Sequence, residues 1–415
     1  MRVVANNLID MSLNPLIYGL FNKQKPSKLN KEEYSRWLTG FIDGEGNFQV
    51  YLDRNYLRVM FRIRLHIDDI AVLLSIRDFL GVGRVNKDGN SCLFIISDIT
   101  ALTTILFPLL DKYGLFTTKW LDFLDFKVVV RHLSTSKTTR LTSIQEDWIK
   151  SIMSGMISGR TKYNYDLIPT LIVNPYWLLG FIEAEGTFGI KNLSTYFQIG
   201  QNIRNSMVLN QIANYLELLP KSFKFSIKTQ PPVVSHVINN KTEVKVLMIN
   251  NIDALHDYLM FFLLNMPFQT RKYKDFLLWC LVLHLHKQGY FYLLEGRSLV
   301  YLISQYINDG RYSTNVHRGK TPEISYINQV LSLKLPVALQ PEMLHVDLAK
   351  ACAQIIKKRS IYVYDKGELI KGSPFASYSS AMGAIGYSKS SIWARRSIDT
   401  GKVVGGRFTF YSNPI

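Results

Sequence analysis

Two glutamates, Glu45 and Glu185, occupy the same place in two copies of one stretch, residues 37–48 and 177–188. Each copy predicts a short helix that ends in a carboxylate followed by glycine. The helix dipole disfavours negative charge at a helix C-terminus, and two adjacent carboxylates repel each other and raise at least one pKa. A hard divalent cation such as Mg2+ removes both penalties because it favours carboxylate oxygen. The two glutamates are therefore predicted to hold metal.

The helices that carry these glutamates are predicted to pack side by side through Gly40 and Gly180. A glycine inside a helix costs about 1 kcal/mol relative to alanine, so matched glycines indicate a close approach of two backbones. Asn30 and Asn174 precede the helices and are predicted to be their N-caps. The alternative is that each amphipathic helix packs separately in its own domain.

The composition indicates a partner that is a polyanion. The chain has 415 residues and a formal net charge of +17, which favours nucleic acid or an anionic membrane surface. The apolar runs are shorter than the roughly 20 residues that span a bilayer, so no membrane partner is expected. The three cysteines form no CxxC pair or Cys/His cluster, which argues against a disulfide framework and a zinc site.

A strand pattern with one basic face follows the first motif. Gln49 and Tyr51 lie on the polar face of a first predicted strand. In the next strand alternate residues from Leu57 to Leu65 are apolar, and the residues between them include Arg58, Arg62, Arg64 and His66. Exposed strand faces are often basic without any ligand, but arginines on one face suit phosphate and guanine contacts. We therefore expect this face to bind DNA.

The same order of elements recurs in the second half of the chain. Residues 61–76 match residues 197–212, and residues 118–123 match residues 271–276, which indicates a duplicated domain. In the second copy, Lys224 and Lys228 lie on the polar side of one predicted strand. In its partner strand, residues Val244, Val246 and Met248 are expected to point inward and Lys245 outward.

The tail from about residue 357 forms a separate predicted unit of short strands and two short helices. Its second helix carries Arg395 and Arg396. A short helix, a tight turn and a basic helix fit a helix-turn-helix reader of DNA. A small scaffold element is the alternative that the residues alone leave open.

The two repeated stretches resemble the namesake motif of the LAGLIDADG homing endonucleases, in the single-chain form that carries two copies. The acidic eighth position of that motif is matched by Glu45 and Glu185. At the sixth position Asp43 agrees with the usual aspartate, whereas Glu183 departs from it. Thr39 and Leu179 replace a small alanine, and the tail is similar to the nuclease-associated modular DNA-binding domain.

The resemblance implies an α+β fold of two pseudo-symmetric αββαββα lobes with antiparallel DNA-binding sheets, followed by a small helix-turn-helix-like module. The expected boundaries are an N-terminal arm (1–29), lobe 1 (30–133), an inter-lobe linker (134–173), lobe 2 (174–315), a connector (316–356) and the modular DNA-binding domain (357–412).

The function implied by the resemblance is metal-dependent, site-specific cleavage of both strands of a long DNA target, which promotes intron homing. The cofactor is then Mg2+ or another divalent cation such as Mn2+, held by the two motif glutamates with the backbone carbonyls of Gly44 and Ala184. Gln201 is expected to order solvent near the metal; the matching position in lobe 1 is Leu65. Lys119 and Lys272 are the basic residues expected near the scissile phosphates.

The residues expected to contact DNA are Gln49, Tyr51, Arg58, Arg62, Arg64, His66, Arg84, Lys191, Gln198, Lys224, Lys228, Lys245, Arg395 and Arg396. Two other functions remain open, an RNA maturase that binds its host intron and a DNA-binding protein without catalysis. The second would predict loss of a motif glutamate, and neither is lost. The resemblance further implies a monomer in the mitochondrion, with double-stranded DNA or host intron RNA as partner.

Overall fold

A computed structural model describes most of the chain. The described residues are 29–54, 56–136, 139–218, 233–239, 242–316, 320–335, 337–339, 343–356, 360–388 and 392–415. The predicted N-terminal arm (1–29), except residue 29, and the predicted strand that carries Lys224 and Lys228 lie outside these ranges. No helix among the described residues is long and apolar enough to cross a membrane.

Lobe 1 begins with the first motif helix, whose N-cap Asn30 accepts a hydrogen bond from the Glu33 amide. Its elements are α1 (Lys31–Glu45), β1 (Gly46–Asp53), β2 (Tyr56–His66), α2 (Ile70–Leu80), β3 (Arg84–Asp88), β4 (Ser91–Ile96), α3 (Ile99–Ala101), α4 (Phe107–Tyr113) and α5 (Lys119–Ser136). A further helix, α6 (Ser143–Ser154), lies between the lobes.

Lobe 2 repeats this order, starting from a helix with Asn174 as N-cap and Pro175 in its first turn. Its elements are α7 (Pro175–Glu185), β5 (Gly186–Lys191), β6 (Ser194–Asn202), α8 (Ser206–Glu217), β7 (Val233–Asn239), β8 (Thr242–Ile249), α9 (Ile252–Ala254), α10 (Phe261–Leu264), α11 (Lys272–Lys287) and α12 (Leu294–Tyr306).

Each lobe contains a four-stranded antiparallel sheet with the same strand order. The order is β1-β2-β4-β3 in lobe 1 and β5-β6-β8-β7 in lobe 2. Residues on one face of each sheet, such as Phe48, Phe61 and Phe197, are buried beneath the helices. One continuous apolar core includes residues of both lobes. The predicted α+β fold with two similar lobes is confirmed.

The two motif helices pack against each other at the centre of the molecule. A Cβ built on Gly40 would lie 2.0 Å from the Trp177 carbonyl oxygen, and a Cβ built on Gly180 would lie 2.0 Å from the Trp37 carbonyl oxygen. Only a hydrogen atom fits in either place. The prediction of separately packed helices, left open by the sequence, does not describe this structure.

The helix that begins after Asp98 does not end at Pro108. It continues through a π-helical turn (Leu102–Leu106) into α4. A π turn displaces the hydrogen-bond register, and proline has no N–H that needs a partner. The helix α5 also extends to Ser136, past the expected lobe boundary at residue 133.

The inward face of β8 was predicted wrongly. Leu247 and Ile249 are buried, and Leu247 lies opposite buried Ile199 of β6. Val244, Val246 and Met248 therefore lie on the outer face, and Lys245 shares the inner face near the end of the sheet. The apolar run in this strand hides the two-residue period, so only the pairing with β6 fixes its register.

The tail forms a small unit with its own core, which includes Ile361, Val363, Met382 and Phe410. After α13 (Ile324–Leu331) and α14 (His345–Ile356), its elements are β9 (Tyr362–Asp365), β10 (Glu368–Leu369), α15 (Tyr378–Ala384), α16 (Ile392–Arg396) and β11 (Phe408–Tyr411). It is docked on α12: the buried Arg297 side chain donates to the Ile398 carbonyl (2.9 Å), and the Ser298 hydroxyl donates to the Asp399 carbonyl (2.9 Å).

Candidate functional site

The two motif glutamates lie at the last residues of the packed helices α1 and α7. Each helix turns directly into a strand at a glycine, because a Cβ on Gly46 or Gly186 would lie within 3 Å of atoms of the preceding Ile42 or Ile182. A Cβ on Gly44 would approach Glu185 Oε1 to 3.4 Å, so this glycine leaves space for the Glu185 side chain.

The environment of Glu45 penalises its negative charge. Burial, and then repulsion from the Glu185 carboxylate, raise the pKa of Glu45 to about 7. Neither carboxylate forms a hydrogen bond or ion pair with a described residue. Both side chains are partly buried, and a partly buried carboxylate pair without hydrogen-bond partners is energetically unfavourable unless positive charge approaches it.

One lysine lies at the end of each motif helix. Lys119 Nζ donates to the carbonyl oxygens of Ile42 (3.0 Å) and Gly44 (2.6 Å). Burial lowers the pKa of Lys119, and the nearby carboxylates Asp43, Glu185 and Glu45 act in the opposite direction.

Lys272 occupies the matching place in lobe 2. Its Nζ donates to the carbonyl oxygens of Ile182 (3.2 Å), Ala184 (3.4 Å) and Gly186 (2.6 Å). The carbonyls of Gly44 and Ala184, expected to be metal ligands, thus each accept a hydrogen bond from a lysine. A carbonyl oxygen has a second lone pair, so this hydrogen bond leaves one acceptor position.

The carboxylate at the sixth motif position connects each motif helix to the lysine of its own lobe, a role that the sequence reasoning missed. Asp43 accepts hydrogen bonds from the amides of Phe116 (2.9 Å) and Thr117 (3.1 Å) and from the Thr117 hydroxyl (2.7 Å). These residues directly precede α5, whose first residue is Lys119. Burial raises the pKa of Asp43, and these hydrogen bonds act against that shift.

Glu183 makes the same connection in lobe 2. It accepts hydrogen bonds from the Gln269 amide (3.0 Å), the Thr270 amide (2.6 Å) and the Thr270 hydroxyl (2.6 Å). Thr270 lies two residues before Lys272, the first residue of α11. The sequence contained one signal for this role, a threonine two residues before each lysine, but not the distant carboxylate that each threonine binds.

Each of these carboxylates also binds a tryptophan of the other lobe. Trp37 of lobe 1 donates its ring N–H to Glu183 (2.6 Å), and Trp177 of lobe 2 donates its ring N–H to Asp43 (3.2 Å). All four side chains are buried. The two hydrogen bonds cross the interface between the motif helices.

Gln201, the predicted solvent-ordering residue of lobe 2, lies near the end of β6 and accepts a hydrogen bond from Asn205 (3.0 Å). Asn205 in turn accepts one from the Thr118 amide of lobe 1 (2.8 Å). Leu65 occupies the matching strand position in lobe 1, and Asp69, which matches Asn205 in the repeat, has a buried oxygen without a hydrogen-bond partner in the described residues.

The outer face of the lobe 1 sheet brings the predicted basic residues together. Asn47 lies opposite Arg62, and Tyr51 lies opposite Arg58; Arg84 continues the face on the edge strand β3. Gln49 occupies the same outer face of β1. Arg64 is 3.1 Å from Asp88, and Arg58 is 3.9 Å from Asp53. Both ion pairs are exposed, so the arginines remain accessible to a polyanion.

His66, also predicted on this face, is covered by the segment that follows α12. It bonds the Thr314 hydroxyl (2.8 Å) and packs on the Tyr312 ring. Ser313 of the same segment contacts lobe 1 at Asp68, to which its amide and hydroxyl donate. Arg271 of lobe 2 lies 3.4 Å from the same carboxylate.

The described outer face of the lobe 2 sheet is less basic. Lys191 is exposed at its edge, and Gln198 lies between Thr187 and Met248. Lys245 lies on the inner side, opposite Gln201, which corrects its expected outward position.

The two arginines of the tail have different surroundings. Arg395 is exposed and lies over the Tyr378 ring. Arg396 donates to the Asn192 carbonyl at the β5–β6 turn of lobe 2 (3.3 Å) and lines an open cavity beside Lys191, Tyr196 and Gln198. The tail therefore lies at the edge of the lobe 2 sheet.

Comparison with known proteins gives the family. The model of the LAGLIDADG endonuclease family matches residues 38–130 and 178–283, which are the two lobes. The uncharacterized mitochondrial protein RF1 of Saccharomyces cerevisiae is 26% identical over 366 residues, 82% of this chain and 74% of the relative. Probable intron-encoded endonuclease 3 of Neurospora crassa is 26% identical over 266 residues, 58% of this chain. The chain spans about half of that relative, 48% of its length.

Solved structures share the fold. The meganuclease I-SmaMI bound to uncleaveable DNA has a TM-score of 0.58 and 24% identity, over 69% of this chain and 100% of its own. The LAGLIDADG homing endonuclease I-GzeII in complex with its DNA target has a TM-score of 0.57 and 22% identity, over 68% and 99%. With a motif glutamate at the end of each central helix and a matched lobe behind each motif, the two lobes of this chain belong to the LAGLIDADG endonuclease family.

Proposed function

We propose that this protein is a site-specific endonuclease that hydrolyses both strands of a long DNA target and so promotes intron homing. The observation that carries the proposal is the pair of partly buried glutamates at the ends of two packed helices, each with a lysine at the same helix end. One such group for each lobe gives one hydrolytic site for each DNA strand.

The residues fit a divalent cation, Mg2+ or Mn2+. Glu45 and Glu185 have carboxylate oxygens without described partners, and the raised pKa of Glu45 means that added positive charge would be favoured there. Among the described residues no group of three or more His, Cys, Asp or Glu is placed to hold a metal ion. The remaining ligands would therefore be backbone oxygens, such as those of Gly44 and Ala184, and solvent. Such an ion activates water and stabilises the leaving oxygen of a phosphodiester.

The protein itself supplies positioning and charge. Lys119 and Lys272 hold ammonium groups against the helix ends, where they would stabilise negative charge that develops on a bound phosphate. Gln201, fixed by Asn205, would orient solvent in lobe 2. Leu65 offers no polar group in lobe 1, so we expect the two strands to be cut at different rates.

DNA would lie across the outer faces of the two sheets. Gln49, Tyr51, Arg58, Arg62, Arg64 and Arg84 form the lobe 1 contact surface, and Lys191 and Gln198 belong to that of lobe 2. Arg395 and Arg396 would extend the surface from the tail. The proposed contacts of Lys224 and Lys228 lie outside the described residues. His66 and Lys245 are weaker candidates, because one is covered by Tyr312 and the other faces inward.

The helix pair and the relatives also bear on the oligomeric state and the location of the protein. The pair of motif helices is complete within one chain, which supports a monomer. Mitochondrial origin is supported by the names of relatives, such as the mitochondrial protein RF1. An RNA maturase function is not favoured, because relatives with an assigned activity and the structural neighbours are described as endonucleases.

The test uses Glu45→Gln and Glu185→Gln in the full chain, with a DNA target selected from a randomised library in Mg2+. Each substitution should slow cleavage of one strand by about 100-fold or more, as loss of an electrostatic group in an active site does. DNA affinity should remain close to that of the unsubstituted chain. Cleavage at the unsubstituted rate by the doubly substituted protein would overturn the proposal.

A further inference from the structure

We infer that the two lobes are coupled crosswise: Trp37 of lobe 1 positions the lysine of lobe 2, and Trp177 of lobe 2 positions the lysine of lobe 1. The tryptophans are positioning residues in this inference. The expected change in DNA cleavage rests on the proposed function. The expected change in the accessibility of each lysine does not.

The first step is the path from tryptophan to lysine in lobe 2. The Trp37 ring N–H binds Glu183 Oε2 (2.6 Å), and the other oxygen, Oε1, accepts both the amide and the hydroxyl of Thr270 (2.6 Å each). The Thr270 hydroxyl in turn accepts a hydrogen bond from the Lys272 amide (3.2 Å). This path fixes the first turn of α11, from which Lys272 reaches the end of α7.

The path in lobe 1 has the same order. Trp177 binds Asp43 Oδ2 (3.2 Å), and Asp43 Oδ1 accepts the amide (3.1 Å) and hydroxyl (2.7 Å) of Thr117. The Thr117 hydroxyl accepts a hydrogen bond from the Lys119 amide (3.3 Å). In both lobes, the tryptophan therefore acts on a lysine of the lobe to which it does not belong.

Burial makes these hydrogen bonds matter. Asp43 and Glu183 are 3% and 4% exposed, and Trp37 and Trp177 are 0% and 2% exposed. Without the tryptophan N–H, Asp43 Oδ2 and Glu183 Oε2 each keep one backbone amide as partner, from Phe116 and Gln269, and water cannot easily replace the lost donor, so the carboxylate shifts toward its remaining donors. This shift lengthens the bonds to the threonine and loosens the first turn of the helix that carries the lysine.

The coupling should be stronger toward lobe 2. Glu183 has one more methylene than Asp43 and reaches closer to its tryptophan, 2.6 Å against 3.2 Å. Glutamate in place of aspartate at the sixth motif position therefore predicts a difference between the lobes. Loss of the Trp37 donor should expose Lys272 more than loss of the Trp177 donor exposes Lys119.

The two tryptophans are matched controls for each other. Each stacks on a phenylalanine of its own helix, Trp37 on Phe41 (5.1 Å between centroids) and Trp177 on Phe181 (5.0 Å). Trp37→Phe and Trp177→Phe therefore remove similar packing from the same interface. A general loosening of that interface would affect both lysines in both variants.

The first measurement is the rate of acetylation of each lysine by acetic anhydride in the full chain, followed by mass spectrometry. Trp37→Phe should raise the rate at Lys272 by about fivefold to tenfold, the size expected for the net loss of one hydrogen bond, and leave Lys119 within about twofold. Trp177→Phe should do the reverse. Equal effects on both lysines, or an effect confined to the lysine of the same lobe, would overturn the inference.

A second pair of variants guards against loss of folding. A tryptophan analogue with sulfur in place of the ring N–H, incorporated at position 37 or 177, removes the donor and keeps the ring. It should reproduce the crossed labelling pattern. Thr270→Val should expose Lys272 to acetylation, and Thr270→Ser, which keeps the hydroxyl, should restore protection. Unchanged labelling with the analogue would overturn the inference even if the phenylalanine variants fail to fold.

The second measurement is the nicking rate of each DNA strand in Mg2+. Trp37→Phe should slow the strand that Lys272→Met slows, and Trp177→Phe the strand that Lys119→Met slows. If the unsubstituted chain cuts neither strand, the proposed function fails while the labelling result still decides the coupling. If both strands are cut but the pairing of variants is uncrossed, the coupling fails and the proposed function stands.

Discussion

At Glu45, burial and the neighbouring carboxylate of Glu185 raise the pKa to about 7 from an ordinary value of 4.5. Between these two pH values the unfolded chain has released this proton while the folded chain still holds it. The contribution of Glu45 to stability therefore falls as pH rises from about 4.5 to 7 and stays low above pH 7. A cation bound between the carboxylates would reverse the penalty.

The variant Glu45→Gln should be more stable than the unsubstituted chain at pH 8 without divalent cations, by about 2 kcal/mol. The difference in stability should vanish near pH 4, because Glu45 is then mostly protonated in the folded and the unfolded chain and is uncharged like glutamine. Urea unfolding in EDTA at the two pH values measures it. In Mg2+ the unsubstituted chain should gain more stability than the variant, and a pH-independent difference in EDTA would contradict the argument.

The sequence predicted the residues that carry charge at the site but not the bonds that hold them. Glu45, Glu185 and the two lysines could be found because their types repeat in matched stretches. The role of Asp43 could not be found in this way, because its partners Phe116 and Thr117 follow far along the chain. Hydrogen bonds over such distances are set by packing of the whole lobe.

Among the elements, the pair α1 and α7 is the most sensitive to a single added methyl group. Gly40→Ala would place a Cβ 2.0 Å from the Trp177 carbonyl oxygen, and a backbone atom cannot turn away as a flexible side chain can. We expect a loss of about 3 kcal/mol in the free energy of unfolding, together with slower cleavage because both glutamates move. Thermal unfolding and cleavage rates measure the two effects.

The matched control for this substitution is Gly383→Ala. Gly383 lies in the helix α15, and a Cβ built there would meet no atom within 4 Å. Alanine should be neutral or stabilise the chain by up to about 1 kcal/mol. A loss at Gly383 as large as at Gly40 would mean that the contact between α1 and α7 does not explain the loss at Gly40.

Elements with a clear two-residue or helical period were predicted correctly from the sequence, as β2 demonstrates. The prediction failed in β8, where Val244, Val246, Leu247, Met248 and Ile249 form a nearly continuous apolar run. Such a run fits either face, and the choice is made by the hydrogen bonds to β6. Register of this kind belongs to the sheet and is not encoded in one strand.

In the whole molecule, Asp68 joins lobe 1 to Arg271 and to Ser313. Burial alone would raise the pKa of Asp68, but the hydrogen bonds from Ser313 and the charge of Arg271 lower it to about 2. A carboxylate with a lowered pKa stabilises the fold above its ordinary value of 3.8, and this contribution is lost as pH falls toward 2.

Asp68→Asn should therefore reduce stability at pH 7 by about 1 kcal/mol, and the difference should shrink between pH 4 and pH 3. Chemical unfolding at these pH values checks the direction. The control is Asp78→Asn, since Asp78 is exposed and pairs only with its neighbour Arg77 among the described residues. A constant deficit for Asp68→Asn across this range would rule out an ionic contribution.

If DNA binds the lobe 1 sheet, its affinity should fall with rising salt concentration, and the arginines on that sheet should set part of the slope. Replacing Arg58, Arg62 and Arg64 with glutamine should reduce the slope of log affinity against log salt by up to about 2.7, or about 0.9 for each phosphate contact. Arg77→Gln, on the helix α2 that packs against the opposite face of the sheet, should leave the slope unchanged. Equal slopes for the triple variant and the unsubstituted chain would exclude this face as a phosphate-binding surface.

The reciprocal contact of Gly40 with the Trp177 carbonyl and of Gly180 with the Trp37 carbonyl has the form of an isologous interface, in which the same patch serves both partners. Each lobe therefore carries both halves of the contact and could pair with a copy of itself. A symmetric pair of that kind would read only a palindrome. Joining the lobes in one chain lets their outer faces differ, as the arginines of lobe 1 and the sparser charge on the described part of the lobe 2 face already do, so that two unlike half-sites can be recognised at once.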